Sequence, residues 1–203
     1  MKYLKIIIPI SILSLVLIVD YYNKYYKSNT SFEDESIFLY VVKGDSIAFK
    51  DSISKYIKSE KTFYKVAEKL EYLENKKTGR FKIKRGIGNN DIVNSLRFNN
   101  TPVNVTFNNQ ERVEDLAGRV SSQIYEDSIS LLSSFRDQDF LKKNNLNEKN
   151  VLSIFIPNSY NIYWNSTSEN FRDRMLSEYN KFWNKERSEK AEQLGLTKLE
   201  VIS

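Results

Sequence analysis

The chain has 203 residues, room for a membrane anchor plus one or two small domains with cores of their own. It contains no His and no Cys, which excludes Ser-His-Asp and Cys-His catalysis, thiolate or imidazole metal centres and disulfides. Its formal charge of +5 comes from 31 basic and 26 acidic residues scattered along the chain, so nucleic acid is not an expected partner, while a membrane surface or an anionic polymer would suit the slight basicity.

In chain order, an unbroken uncharged run extends from Ile6 to Val19, with Lys2 and Lys5 before it and Tyr21, Tyr22, Lys24, Tyr25, Tyr26 and Lys27 after it. Counted from Tyr3 to Tyr22 it reaches the ~20 residues of a membrane helix, with tyrosines at one interface and lysines free to snorkel. The residues after Val19 are bulky rather than of the Ala-x-Ala kind, which favours an uncleaved signal anchor over a cleaved signal peptide. Residues 1–27 are therefore assigned as cytoplasmic tip and anchor. A short amino-terminal arm usually stays inside, which would put the rest of the chain outside the cytoplasm. Residues 28–36, with Glu33, Asp34 and Glu35, read as a polar tether.

From Ile37 one pattern recurs three times: an apolar alternating strand, a polar turn, then a helix. The strands are 37–42, 80–84 and 103–107, and the turns that follow them carry Lys43-Gly-Asp-Ser46, Arg85-Gly-Ile-Gly-Asn-Asn90 and Asn108-Asn-Gln110. The pattern predicts an α+β fold with helices on one face of small sheets. Ile53, Tyr56 and Ile57 lead into Phe63, Val66, Ala67, Leu70 and Leu73 at helical spacing, with a break near Ser59-Glu60 and Thr62 as a candidate cap. Asn89 or Asn90 is the candidate cap of the second helix. Glu111, Glu114 and Asp115 load the first turn of the third, as caps rather than catalysts.

Residues 121–150 read as helical, burying Leu131, Leu132, Phe135, Phe140 and Leu141. The stretch from Leu152 to Trp164 then reads as a buried strand running into a turn at Pro157, Asn158 and Ser159, from which Tyr160, Tyr163 and Trp164 leave together. One long helix is expected from Thr167 or Ser168 to Gly195, with Phe171, Met175, Tyr179, Phe182 and Trp183 on its apolar face. Thr197 and Glu200 have the spacing of a capping box for a further helix carrying Leu199, Val201 and Ile202.

The order Phe155-Ile-Pro-Asn-Ser-Tyr160 followed by Tyr163-Trp164 resembles the Pro-(Asp/Asn)-Thr-Tyr signature of the endolytic murein transglycosylase (MltG, YceG-like) family. Many members carry Glu-Gly shortly before the Pro, where this chain has Leu152 and Ser153. Tyr40-Val-Val-Lys-Gly-Asp-Ser46 and Gly79-Arg-Phe-Lys-Ile-Lys-Arg-Gly86 resemble the LysM-like module of that family; a small α/β stalk is the plain alternative. The resemblance implies a single transmembrane helix, a LysM-like α/β stalk module over 37–105, and over 106–203 the incomplete start of an α/β transglycosylase domain. It implies a lytic transglycosylase of the bacterial inner membrane, with most of the chain in the periplasm, cleaving MurNAc-GlcNAc bonds and leaving 1,6-anhydroMurNAc ends. Its substrate-binding candidates are Pro157, Asn158, Ser159, Tyr160, Tyr163 and Trp164. The family's catalytic Glu is expected beyond Ser203, so this chain is expected to be a fragment, inactive alone. Peptidoglycan strands, the inner membrane and cell-wall synthesis proteins are the expected partners, with no cofactor and no metal. The alternative function is a membrane-tethered, non-catalytic peptidoglycan-binding or scaffold protein.

Overall fold

The computed structural model describes residues 4–202, so Lys2 and Tyr3, counted above with the span, and Ser203 lie outside the described residues. The chain divides into two compact units, Met1–Thr101 and Pro102–Ser203.

The first unit begins with α1, Leu4–Tyr25, a helix of 22 residues. At 1.5 Å per residue it is ~33 Å long, a match to the ~30 Å hydrocarbon core of a bilayer. Its 7–25 segment has mean hydropathy 1.4 and contains no buried residue, so α1 is long and apolar enough to cross a membrane. The next residues do not hang free. Ser28 pairs with Gly88 and Thr30 with Ile57, and Asn29 is buried between them. Its amide group donates to the Ser59 carbonyl at 3.0 Å and to Asn89 Oδ1 at 2.7 Å, and its side-chain oxygen accepts the Ser59 N–H at 2.8 Å. A buried amide needs partners for every polar atom, and two separate segments, at Ser59 and Asn89, supply them, so the start of the 28–36 stretch is bound into the unit.

Strand β1, Ser36–Val41, pairs antiparallel with β2, Gly79–Lys84. Alternation turns Leu39, Val41, Phe81 and Ile83 inward and leaves Phe38 and Tyr40 exposed, with the Arg80 guanidinium 3.5 Å from the Phe38 ring centroid. Between them run α2, Ser46–Ser54, capped by Asp45, and α3, Glu60–Lys69, capped by Ser59. The break falls where the apolar spacing places it, but the cap is Ser59; Thr62 instead donates its hydroxyl back to the Ser59 carbonyl. Helix α4, Asn89–Phe98, starts after Gly88 without a side-chain cap. Asn89, a candidate for that role, is drawn inward to Asn29 and donates to the Lys24 carbonyl at 2.7 Å. The core of this unit centres on Phe49, Phe63, Tyr72 and Phe81.

In the second unit β3, Pro102–Phe107, pairs antiparallel with β4, Asn158–Tyr163. The helices between them are α5, Val113–Ser121, α6, Ser128–Phe135, and α7, Gln138–Lys143, followed by a 3₁₀ turn, Val151–Ile154. Asp127 and Asp137 cap α6 and α7 by accepting backbone N–H bonds. Helix α8, Ser168–Phe182, is capped by Thr167 and packs on α6. Arg172 is buried at that contact: it donates to the Ser134 carbonyl at 3.0 Å and stands 3.9 Å from the Phe140 ring centroid, joining α6, α7 and α8.

Two expectations are corrected here. The long helix ends at Phe182, because Asn184 accepts the Arg187 N–H and starts a separate helix, α9, Lys185–Gln193, which Gly195 then terminates at φ +69°. Leu152 to Ile156 is a 3₁₀ turn and a linker rather than a strand. Pro157 has no N–H to give a ladder, so pairing begins only at Asn158. The last helix, α10, Lys198–Ile202, has its capping box: Glu200 Oε2 accepts the Thr197 N–H at 2.7 Å and Thr197 Oγ1 accepts the Glu200 N–H at 3.2 Å. The side chains of Leu199 and Ile202 lie outside those described.

Candidate functional site

The second unit contains a cleft of about 650 Å³. One wall is the end of β3 and the loop after it, Phe107 to Glu111, backed by Leu116. The other runs from Lys149 and Asn150 through Leu152, Ser153 and Phe155 to Pro157. Register explains why these walls face each other: Phe107 is paired with Asn158, so the loop leaving β3 and the segment entering β4 meet at the same end of the ladder.

Both walls are held by local hydrogen bonds. Gln110 Nε2 donates to Asn108 Oδ1 at 2.8 Å and to the Asn109 carbonyl at 3.1 Å, closing the first loop on itself. On the other side Asn150 Oδ1 accepts the Asn147 N–H at 2.7 Å, and Ser153 Oγ donates to the Asn150 carbonyl at 2.8 Å. Tyr160 closes the turn: buried, and stacked on Phe107 at 5.6 Å, it donates its hydroxyl to the Ile156 carbonyl at 2.6 Å, bridging Pro157. Burial, and after it the nearby Glu178 carboxylate, push the Tyr160 phenol above its ordinary pKa, so it remains a neutral donor.

The six candidate residues do not form one cluster. Pro157 lines the cleft. Asn158 accepts the Ser159 N–H at 2.8 Å, and the Ser159 hydroxyl is 2.7 Å from that of Thr106 across the ladder. Tyr160 supports the cleft from within. Tyr163 points to the opposite face from Tyr160 and is 53% exposed, ~17 Å along the strand from Asn158. Trp164 packs against Tyr125 beyond the strand end, with ring centroids 5.0 Å apart and the planes tilted by 52°. Alternation across β4 separates side chains that a turn would have kept together.

Sequence reasoning missed the other wall. Asn108, Asn109 and Gln110 read as turn chemistry, and Lys149-Asn150 as the end of a helix; the available signal was that two amide-rich loops flank the strands carrying the motif. Among the described residues Glu111 is the one carboxylate lining the cleft, and it is exposed. Among the described residues no group of three or more Asp or Glu could hold a metal ion.

A family model described as the YceG-like family matches residues 43–203, which includes both walls of the cleft. The chain belongs to the YceG-like family. A crystal structure of a yceG-like protein from Listeria monocytogenes is similar to it at 15% identity and a TM-score of 0.44, covering 81% of this chain and 60% of that one. The YceG-like chain thus spans about three fifths of the length of that solved relative. Among curated proteins none matches the sequence. In this YceG-like chain Leu152 and Ser153 both line the cleft.

Proposed function

We propose that this YceG-like chain is the anchor, stalk and leading part of an endolytic peptidoglycan lytic transglycosylase, held in the bacterial inner membrane by α1 with its two units in the periplasm. The observation that carries the reading is the family match across 43–203, which takes in both walls of the cleft. Asn108, Asn109, Gln110 and Asn150 offer amide donors and acceptors of the kind that read sugar hydroxyls and N-acetyl groups. Phe155 and Leu152 offer an apolar floor to a pyranose face, and Lys149 a cation for the carboxylates of peptidoglycan.

In the reaction, one carboxylic acid protonates the glycosidic oxygen as the C1–O bond of MurNAc breaks. The same group, now a carboxylate, takes the proton of the MurNAc 6-hydroxyl as that oxygen bonds to C1. The proton is returned, no water is consumed, and the ends are a 1,6-anhydroMurNAc and a free GlcNAc 4-hydroxyl. One acid suffices, in contrast to the paired carboxylates of hydrolysis. On the family resemblance that acid is a Glu beyond Ser203. The cleft residues of this chain bind and orient the strand. The first unit is proposed as the LysM-like stalk: its β1, α2, α3, β2 order with one antiparallel sheet supports that reading.

A second reading, a tethered peptidoglycan-binding scaffold without chemistry, is favoured by one observation: among the described residues the only carboxylate lining the cleft, Glu111, is exposed and has no buried acid beside it in the lining. Digestion of purified sacculi separates the readings. The 203-residue chain and the chain continued through its reading frame past Ser203 are each assayed for released muropeptides by mass spectrometry. The transglycosylase reading predicts 1,6-anhydro ends from the continued chain alone. Reducing ends, or binding without any release, would overturn it.

A further inference from the structure

Helix α3 lies against the carboxyl end of α1, and between them is a groove of about 400 Å³. Leu17, Tyr21 and Lys24 of α1 form one side, and Lys65 and Lys69 of α3, on either side of Val66, form the other. Val66 is buried and Leu17 is 60% exposed, so the groove has an apolar floor that continues along the bare surface of α1.

Two physical constraints fix where this groove sits when α1 crosses a membrane. The helix is about as long as the hydrocarbon core is thick, so its last turns reach the headgroup layer. Those turns carry Tyr21, Tyr22 and Tyr25, the residue type that concentrates at that level. Lys65 and Lys69 flank the same turns and cannot follow Leu17 into hydrocarbon, since a lysine there is costly unless its amine reaches the surface. The lysines therefore set the depth of α1, with their amines among the phosphates.

The charges are complementary to such a ligand. Lys24 is paired with Asp20, the only carboxylate lining the groove among the described residues, and among those residues Lys65 and Lys69 are left as its uncompensated cations. Spaced i, i+4 on one helix face, they can close on a single phosphodiester. An apolar floor running from this pair down a membrane helix accommodates the acyl chain attached to the same phosphate.

We propose that the α1–α3 groove is a binding site for an anionic glycerophospholipid, with Lys65 and Lys69 on its phosphate and its acyl chain along Leu17. The proposal rests on α1 spanning the membrane but not on the chemistry assigned to the second unit.

The test uses the full chain in nanodiscs of equal parts phosphatidylcholine and phosphatidylglycerol, with native mass spectrometry counting the lipids that stay bound. Phosphatidylglycerol should be enriched. At about fivefold per lysine near an anionic surface, K65Q/K69Q should lose about twenty-fivefold of that enrichment. K65E/K69E should lose at least as much, and K142Q/K143Q, in the second unit, nothing. Helicity by circular dichroism should be unchanged in all three. Excess glycerophosphate, which lacks acyl chains, should not displace the lipid. Equal enrichment in the wild type and K65Q/K69Q, or displacement by glycerophosphate, would overturn the proposal. A chain that fails to enter nanodiscs would overturn the membrane reading and this site with it, while leaving the sacculus assay untouched.

Discussion

At the scale of single residues, Tyr160 best shows how the motif is built. Its hydroxyl is given to Ile156, its ring to Phe107, and the turn at Pro157 is closed as a result. Tyr160→Phe keeps the ring and removes one buried hydrogen bond, and should cost about 1 kcal/mol in denaturant unfolding of the second unit. It should also alter the alkaline limb of stability. Because the folded-state phenol has a raised pKa, its contribution is fully present below the ordinary tyrosine value of about 10 and is lost as pH rises through the folded value. The wild type should therefore lose stability more steeply above pH 10 than Tyr160→Phe; parallel curves would contradict the assignment. The bend at Pro157 was legible from residue types, because Pro157 acts locally, but the turn expected to run on through Asn158 and Ser159 is replaced by strand, since both pair in β4. The separation of Tyr160 from Tyr163 was not legible, because it depends on β4 pairing with β3 from far away in sequence. Asn29 was illegible for the same reason: an amide in a polar stretch looks solvated until its partners from Ser59 and Asn89 arrive.

At the scale of elements, the apolar periods located most helices, and where they misled a capping side chain decided the outcome. Ser59 and Asn184 begin new helices inside runs whose spacing alone reads as continuous or nearly so. Carboxylates at the starts of α5 and α6 are held in their charged form. Glu114 has its pKa lowered by its backbone N–H and then by Arg136, and Asp127 has its pKa lowered chiefly by the backbone and hydroxyl of Ser130. The junction between α1 and the rest of the first unit depends on Gly88 for a different reason. Its φ is an ordinary −85°, but a Cβ there would fall 2.5 Å from the Tyr26 carbonyl oxygen. Backbone cannot yield as a flexible side chain would, so Gly88→Ala should push α1 away from the α4 start at a cost of about 1–3 kcal/mol. Limited trypsin digestion should then cut after Lys27 faster than in the wild type, with the second unit unaffected. Unchanged cleavage would show that the contact carries no such constraint.

At the scale of the whole molecule, the two units have separate apolar clusters, one around Phe63 and Phe81, the other around Phe135, Phe155 and Phe171. Phe171 is fully buried, so Phe171→Ala should destabilise the second unit by about 3–5 kcal/mol while hydrogen exchange in the first is unchanged. A matching loss of protection in both would mean that they fold as one body. The α+β class and the strand-turn-helix repeat were readable along the chain, since each unit of the repeat is local. Which strands pair was not: β1 with β2 and β3 with β4 are choices made by packing, and the second of them places the two amide-rich loops across one cleft.

The most direct test of the account is hydrogen–deuterium exchange of the 203-residue chain with and without soluble peptidoglycan glycan strands. The account predicts added protection in 107–111 and 149–157, with Tyr163 and its neighbours at the far end of β4 unchanged. Protection confined to the first unit, or centred on 163–166, would contradict the placement of the glycan in this cleft.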